Sequence, residues 1–277
     1  MIWTTTRFDV DLTRPQVMGI VNVTPDSFSD GGHSATTALA LHHCERLLRE
    51  GADLLDIGGE STRPGSSPLP LAAELARVLP VVREAVLLGV PISVDTYKPE
   101  VMRAVLGLGA DAINDIWALR QGDALQVVAT HPRCGVCLMH MHRDPQTMQT
   151  APMAGDVLAP VVDFLRDRAA ALTAVGVAPT RIVLDPGIGF GKTVAQNFSL
   201  LARQRELLAL GFPLLAGWSR KSSLGAVTGR ELASDRVSAS VAAALLAVDR
   251  GATVVRVHDV RETVDALAIW QAARASA

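Results

Sequence analysis

Polar residues able to do chemistry recur at the ends of short apolar runs. Asn22 follows GIV, Asp56 and then GGESTRPG follow LL, and Asp95 follows ISV. Further on, Asn114-Asp115 follow AI, His140 and His142 follow CLM, and Asp185 follows IVL. Ser219-Arg220-Lys221 follow LLAGW, and Arg256 and His258 lie within and after VVRV. Asp95, Asn114 and Asp185 offer acceptors suited to a heterocycle edge with adjacent N–H groups, as in an aminopyrimidinone, because parallel hydrogen bonds fix a ring's orientation. Lys221 is a donor for a ring carbonyl or nitrogen. Arg256 and His258 suit phosphate oxygens, and the Asn22 carbonyl is a hard oxygen suited to Mg²⁺ beside them. One site is therefore expected to hold a polar heterocycle and a phosphate-bearing group.

The stretch LDPGIGFGKT (184–193) tests a rival chemistry. A phosphate-binding P-loop needs glycine, four residues, then Gly-Lys-Ser/Thr. With four residues intervening, the position that must be glycine ahead of Gly191-Lys192-Thr193 is Pro186, which has no N–H to offer phosphate and cannot replace that glycine. The dinucleotide pattern G-x-G-x-x-G fails as well, since the glycines are Gly187, Gly189 and Gly191. The loop remains a ligand candidate, with Gly-Lys-Thr as its exit. Bland readings stand beside the chemical ones. Asp56 is read as bonding the strand ends, and Asp95 or Asp185 alone could cap a turn. His140 and His142 have the spacing of a barrel metal pair but lack evident further ligands. Cys134 and Cys137 form a CxxC at the start of an apolar run, which reads as one edge thiol and one core thiol. Arg261 and Glu262 read as a solvated first helical turn.

Something must bring these scattered residues together. The apolar runs are Val17–Val23, Leu54–Ile57, Pro91–Val94, Ala112–Ile116, Val136–Met139, Ile182–Leu184, Pro213–Ala216 and Val254–Val257. Most lack strict alternation, as expected of parallel strands buried on both faces. Between them lie amphipathic segments, such as Thr36–Glu50, stopped by Gly51, and Ser234–Arg250, stopped by Gly251. Pro99 opens another. This rhythm predicts a (β/α)₈ barrel as one domain over residues 1–277, with a doubly wound open sheet as the alternative. In a barrel the run ends share one mouth, where a site is expected. TPDSFSDGGHS and GGESTRPGSSP, after the first two runs, read as lids over that mouth.

Composition narrows the function. A chain of 277 residues with 49% hydrophobic and 19% charged residues is ordinary for a globular protein with a large core. A net charge of −2 argues against a nucleic-acid surface. The N-terminus lacks the apolar stretch of a signal peptide, and Val241–Val248 is too short to span a bilayer. Three cysteines cannot all pair, so a cytoplasmic location is expected.

Taken together, MGIVNVTPDSFSDGG (18–32), DIGGESTRPG (56–65), SVDTYKPE (93–100), INDI (113–116), LMHM (138–141), LDPGIGFGKT (184–193), SRKS (219–222) and RVHDV (256–260) closely resemble the dihydropteroate synthases of folate biosynthesis. The match runs nearly the whole chain in order. The resemblance implies a TIM barrel that joins 6-hydroxymethyl-7,8-dihydropterin diphosphate to p-aminobenzoate with Mg²⁺, acts as a homodimer and is sensitive to sulfonamides. It implies pterin contacts at Asp95, Asn114, Asp185 and Lys221; Met139, by its residue type, reads as a wall of the pocket or the core. Asn22, Arg256 and His258 would hold diphosphate and its Mg²⁺. Thr62, Arg63, Pro64, Phe190, Lys221 and Ser222 would surround p-aminobenzoate, and Asp30 on the first lid would help order the catalytic arrangement. Gly187 and Gly189 would let the backbone pass close to the ring. Tyr97, Trp218 and His142-Arg143 depart from the family's usual residues, with Trp218 and Arg143 placed near the mouth. The alternatives are a methyltetrahydrofolate–corrinoid methyltransferase-like barrel or an inactive paralogue that only binds. NVTPDSFSDGG, SRKS and RVH weigh against the first, and intact Asn22, Arg63, Asp185, Lys221 and Arg256 weigh against the second.

Overall fold

The computed structural model describes residues 1–23, 32–62 and 65–276, with side chains in the first helix from Thr36 onward. Two short strands, β1 (Ile2–Thr4) and β2 (Asp9–Asp11), form an antiparallel hairpin. Eight parallel strands follow: β3 (Gln16–Asn22), β4 (Leu54–Gly58), β5 (Ile92–Asp95), β6 (Ala112–Asp115), β7 (Gly135–Met139), β8 (Ile182–Asp185), β9 (Leu214–Ala216) and β10 (Ala252–Val257). They close in the order β10-β3-β4-β5-β6-β7-β8-β9, so the sheet is a barrel and the open-sheet alternative is excluded. The helices are α1 (Gly32–Arg49), α2 (Leu71–Ala85), α3 (Pro99–Gly107), α4 (Ala124–Thr130), α5 (Leu158–Ala174), α6 (Val194–Ala202), α7 (Ser222–Thr228), α8 (Val237–Asp249) and α9 (Val260–Ala275).

Strand periodicity divides the core into two layers. Met18, Leu54, Ala112, Cys137, Val183, Leu215 and Val254, each from a different strand, pack with Trp3, Val10 and Leu12 of the hairpin region. These line the inside of the barrel. Their sequence neighbours, among them Val17, Leu55, Ile113, Val136, Ile182, Leu184, Leu214 and Val255, belong to the larger cluster that the helices cover. Both strand faces are thus apolar, which is why the runs lack alternation.

The hairpin was not anticipated from the sequence, and it closes the bottom of the barrel. Trp3 is fully buried and its indole N–H donates to the Arg181 carbonyl at 3.0 Å. Arg7 forks onto Asp111, with Nη2 to Oδ2 at 2.5 Å and Nε to Oδ1 at 3.1 Å. The same carboxylate accepts from the Ile92 N–H at 2.8 Å, which ties the strap to β5.

Two helix boundaries differ from the sequence expectation. The first helix begins at Gly32 rather than Thr36. The expected helix 234–250 starts at Val237, preceded by a 3₁₀ turn over Ala233–Arg236. There Arg236 donates from Nε to the Arg230 carbonyl and from Nη1 to the Arg220 carbonyl, which favours a tighter turn. Gly51, at φ 101°, ends the first helical segment as anticipated. No helix among the described residues is long and apolar enough to cross a membrane.

Trp3→Ala should destabilise the fold by about 3–5 kcal/mol, as expected for deleting a buried indole. Urea denaturation measures this; a loss below about 1 kcal/mol would mean that the hairpin does not close the barrel in solution.

Candidate active site at the barrel mouth

Residues two positions beyond the inner apolar layer also face inward, because strand side chains alternate. That rule selects Asp56, Asn114, Met139, Asp185 and Arg256, beyond Leu54, Ala112, Cys137, Val183 and Val254. Asp95 joins them beyond the buried Ser93. Polar side chains thus follow the inner layer at the C-terminal ends of five strands, with Met139 of β7 the apolar member.

Arg256 ties this layer together. Its Nε donates to Asp56 Oδ2 at 2.6 Å and its Nη2 donates to Asp95 Oδ2 at 2.9 Å. Asn114 Nδ2 donates to the same Asp56 Oδ2 at 3.1 Å. Burial raises the Asp95 carboxyl to about 7; Arg256 opposes this, while Asp56, Asp115 and Glu74 add to it. Burial works against the charge on Arg256, yet the facing carboxylates outweigh it and raise its pKa. Asn114 and Asp115, adjacent in sequence, do different work. Asn114 faces inward, whereas Asp115 accepts from the N–H groups of Trp117 (2.8 Å) and Leu119 (2.7 Å) and holds a turn.

The loop after β8 adds Asp185, Phe190 and Lys192. Asp185 Oδ1 accepts from the Gly187 N–H at 2.7 Å, and burial raises the Asp185 carboxyl. Lys221 Nζ donates to the Ile188 carbonyl and lies 5.0 Å from the Phe190 ring centroid. Burial lowers Lys221 to about 8, against the pull of Asp185. Lys192, expected at the loop exit, is only 2% exposed. Its Nζ donates to the carbonyls of Gly187 (2.8 Å) and Phe190 (3.2 Å) and lies 2.9 Å from His140 Nδ1. Gly187 sits at φ 69°, and an added Cβ would fall 1.8 Å from the His140 carbonyl oxygen. The crowding that requires this glycine is with the exit of β7. Thr193 does serve as the exit, capping α6 in a reciprocal capping box with Gln196.

The remaining expected residues divide. Asn22 ends β3, and His258 follows β10 with its ring Nδ1 3.0 Å from Ser219 Oγ. Ser222 opens α7 at the end of the β9 connection, and Thr62 lies in the loop after β4. Met139 and Phe190 pack with Ile116, Met141 and Met148 as an apolar wall. Asp30, Arg63 and Pro64 lie outside the described residues. Three readings change, at Asp56, Cys134 and Trp218. Asp56 bonds two mouth side chains, not strand ends. Cys134 is buried rather than at an edge, with Arg181 Nη2 at 3.4 Å from its sulfur. Trp218 belongs to the outer core, its ring 5.3 Å from that of Phe198, so it does not face the mouth. His140 is turned to Lys192 and the Phe164 ring, and no group of three His, Cys, Asp or Glu side chains among the described residues could hold a metal.

Comparison with known proteins matches residues 18–258 to the pterin binding enzyme family. The chain is 51% identical over 276 residues to the dihydropteroate synthase of Neisseria meningitidis serogroup B, covering 98% of this chain and 97% of the relative. It superposes on the Xanthomonas albilineans dihydropteroate synthase solved with 4-aminobenzoic acid, with TM-score 0.91, 54% identity and 96% of each chain covered. The Burkholderia cenocepacia dihydropteroate synthase complexed with 7,8-dihydropteroate gives TM-score 0.90 at 50% identity, covering 99% of this chain and 97% of the other. Barrel, polar layer and whole-length similarity agree: this chain belongs to the pterin binding enzymes and, among them, to the dihydropteroate synthases.

Proposed function

We propose that this chain condenses 6-hydroxymethyl-7,8-dihydropterin diphosphate with p-aminobenzoate, giving 7,8-dihydropteroate and diphosphate. The observation that carries this reading is the inward polar layer, in which Arg256 sits between Asp56 and Asp95 beside Asn114. Asp185 and Asn114 offer acceptors for the N–H edge of the pterin, and Lys221 a donor for its carbonyl or ring nitrogen. Met139 walls the ring. Arg256 and His258 take the diphosphate. Thr62, Phe190, Lys221 and Ser222 surround p-aminobenzoate, and by the sequence match Arg63 and Pro64 join them while Asp30 orders the catalytic arrangement. The same surroundings would take a sulfonamide, whose aryl amine copies that of the substrate.

The chemistry needs no protein nucleophile. The bond from the exocyclic methylene to the diphosphate oxygen breaks, its electron pair leaving with diphosphate. The aryl amine nitrogen bonds to that methylene and loses a proton. Arg256 offsets charge growing on the leaving group, and the Asp95 carboxylate stabilises positive charge growing on the dihydropterin. Positioning the two substrates supplies much of the rate. Asn22 offers one hard oxygen, which fits a Mg²⁺ held mostly by diphosphate oxygens and water rather than a protein-only cage. When bound there, Mg²⁺ would neutralise charge on the departing diphosphate. We also propose a cytoplasmic enzyme, in keeping with three buried free cysteines. The proposed oligomer is a homodimer formed through α8, on which Leu246 is 44% exposed.

Purified protein should release diphosphate and form dihydropteroate only when p-aminobenzoate and Mg²⁺ are both present. Absence of product from folded protein at saturating substrates overturns the activity. The pH profile of kcat/KM should be a bell. Asp95 must be ionised, so the rate rises with pH through about 7; Lys221 must stay charged, so it falls above about 8. Asp95→Asn should erase the acid limb along with most of the rate, and an unchanged limb removes Asp95 from this role. Sedimentation should give a dimer mass, and Leu246→Glu should shift it toward monomer; a monomeric wild type contradicts the α8 interface.

A further inference from the structure

Asp56 is completely buried on β4, inside the barrel. A carboxylate in that position is costly unless it is paired and hydrogen-bonded. Its Oδ2 serves Arg256 Nε at 2.6 Å and Asn114 Nδ2 at 3.1 Å, so one oxygen reaches side chains of β10 and β6. Its Oδ1 has no partner among the described residues. We propose that Asp56 is the positioning residue of the pterin diphosphate site: it turns the Asn114 amide so that its oxygen faces the ring, it holds Arg256 in place, and it balances the Arg256 charge so that an ionised Asp95 adds a net negative charge beside the ring. This rests on the reading of the site given above.

Each element has a physical reason. An ionised carboxylate can only accept, so the Asn114 amide must point its NH₂ at Asp56 and its oxygen elsewhere. Without Asp56 the amide could turn over, and a donor would then meet the ring's N–H edge. An arginine side chain has many rotamers, and carboxylates on Nε and Nη2 fix its fork before diphosphate arrives. The charge count matters as well. Arg256 with Asp95 alone would be a neutral pair, whereas Asp56, Arg256 and Asp95 together carry one net negative charge, suited to a dihydropterin that becomes cationic. The charged groups acting on Asp95 are Arg256, Asp56, Asp115 and Glu74, and Lys221 across the mouth.

Two variants test the proposal. Asp56→Ala frees both partners and should raise KM for the pterin diphosphate about tenfold or more, the cost of mis-set buried hydrogen bonds, while KM for p-aminobenzoate changes less than about twofold. Asp56→Asn keeps the shape and removes the charge. It should lower kcat and move the acid limb to lower pH, because Asp95 loses a like-charged neighbour. Thermal melts establish folding, and if Asp56→Ala fails to fold, the acid limb of Asp56→Asn decides alone. An unmoved limb, or an equal rise in both KM values, overturns the proposal. A wild type without turnover defeats the proposed activity; an active wild type with unaltered variants defeats this inference only.

Discussion

Everything at the mouth depends on one guanidinium shared by two carboxylates. Arg256 is paired with Asp56 on one side and Asp95 on the other, and the carboxylates come from neighbouring strands of the sheet. Unpaired charges at this depth would cost several kcal/mol each. The pairing makes a polar layer tolerable on top of an apolar one. It also requires that the strands keep their register, since a shift of one residue would turn Asp56 or Arg256 out toward the helices. Closure of the sheet and the hairpin beneath it enforce that register. Beneath the charges, the inner apolar layer and Trp3 of the hairpin are buried.

The loop after β8 solves a related problem with a cation. It must present Asp185 and Phe190 while its own carbonyls turn inward. Lys192 answers those carbonyls, donating to Gly187 and Phe190 from a buried position. Burial lowers Lys192 to about 7, and burial together with the lysine's charge holds His140 down at about 2. His140 therefore stays neutral and can accept from Lys192 through Nδ1. The motif that resembles a nucleotide loop thus uses its lysine on its own backbone. What remains for a ligand is the carboxylate that opens it and the aromatic ring in its middle.

Much of this could be read from the sequence, for a definable reason. Buried parallel strands give uninterrupted apolar runs, and a polar residue at the end of a run marks the mouth, so Asp95, Asn114, Asp185 and Arg256 announce themselves. Asp56 does too, but LLDIG gives no sign of whether its carboxylate meets backbone or side chains; that depends on Arg256, 200 residues away. Alternation offered a usable clue, since Asp56 is two residues beyond an inward leucine. Lys192 was missed because a lysine in a glycine-rich turn normally faces water, and only the fold turns this one inward. Trp3 and Trp218 were opaque for a similar reason: a tryptophan shows that something large is buried, not which surface buries it.

The distribution of charge ties the fold to the reaction. Asp56, Asp95 and Asp185 stand against Arg256 and Lys221, so the inner site is acidic by one charge. An acidic site repels a diphosphate unless cations receive it, and in the proposed reaction Arg256 and His258 stand at that end, where Mg²⁺ would join them. The same excess favours a ring that becomes positive as its diphosphate departs. A site that bound the intact substrate equally well at both ends would gain affinity and no rate. In the proposed reaction the anions act chiefly on charge that does not exist until the bond breaks. The barrel makes that asymmetry possible, because each strand end contributes one side chain at a fixed angle around the ring.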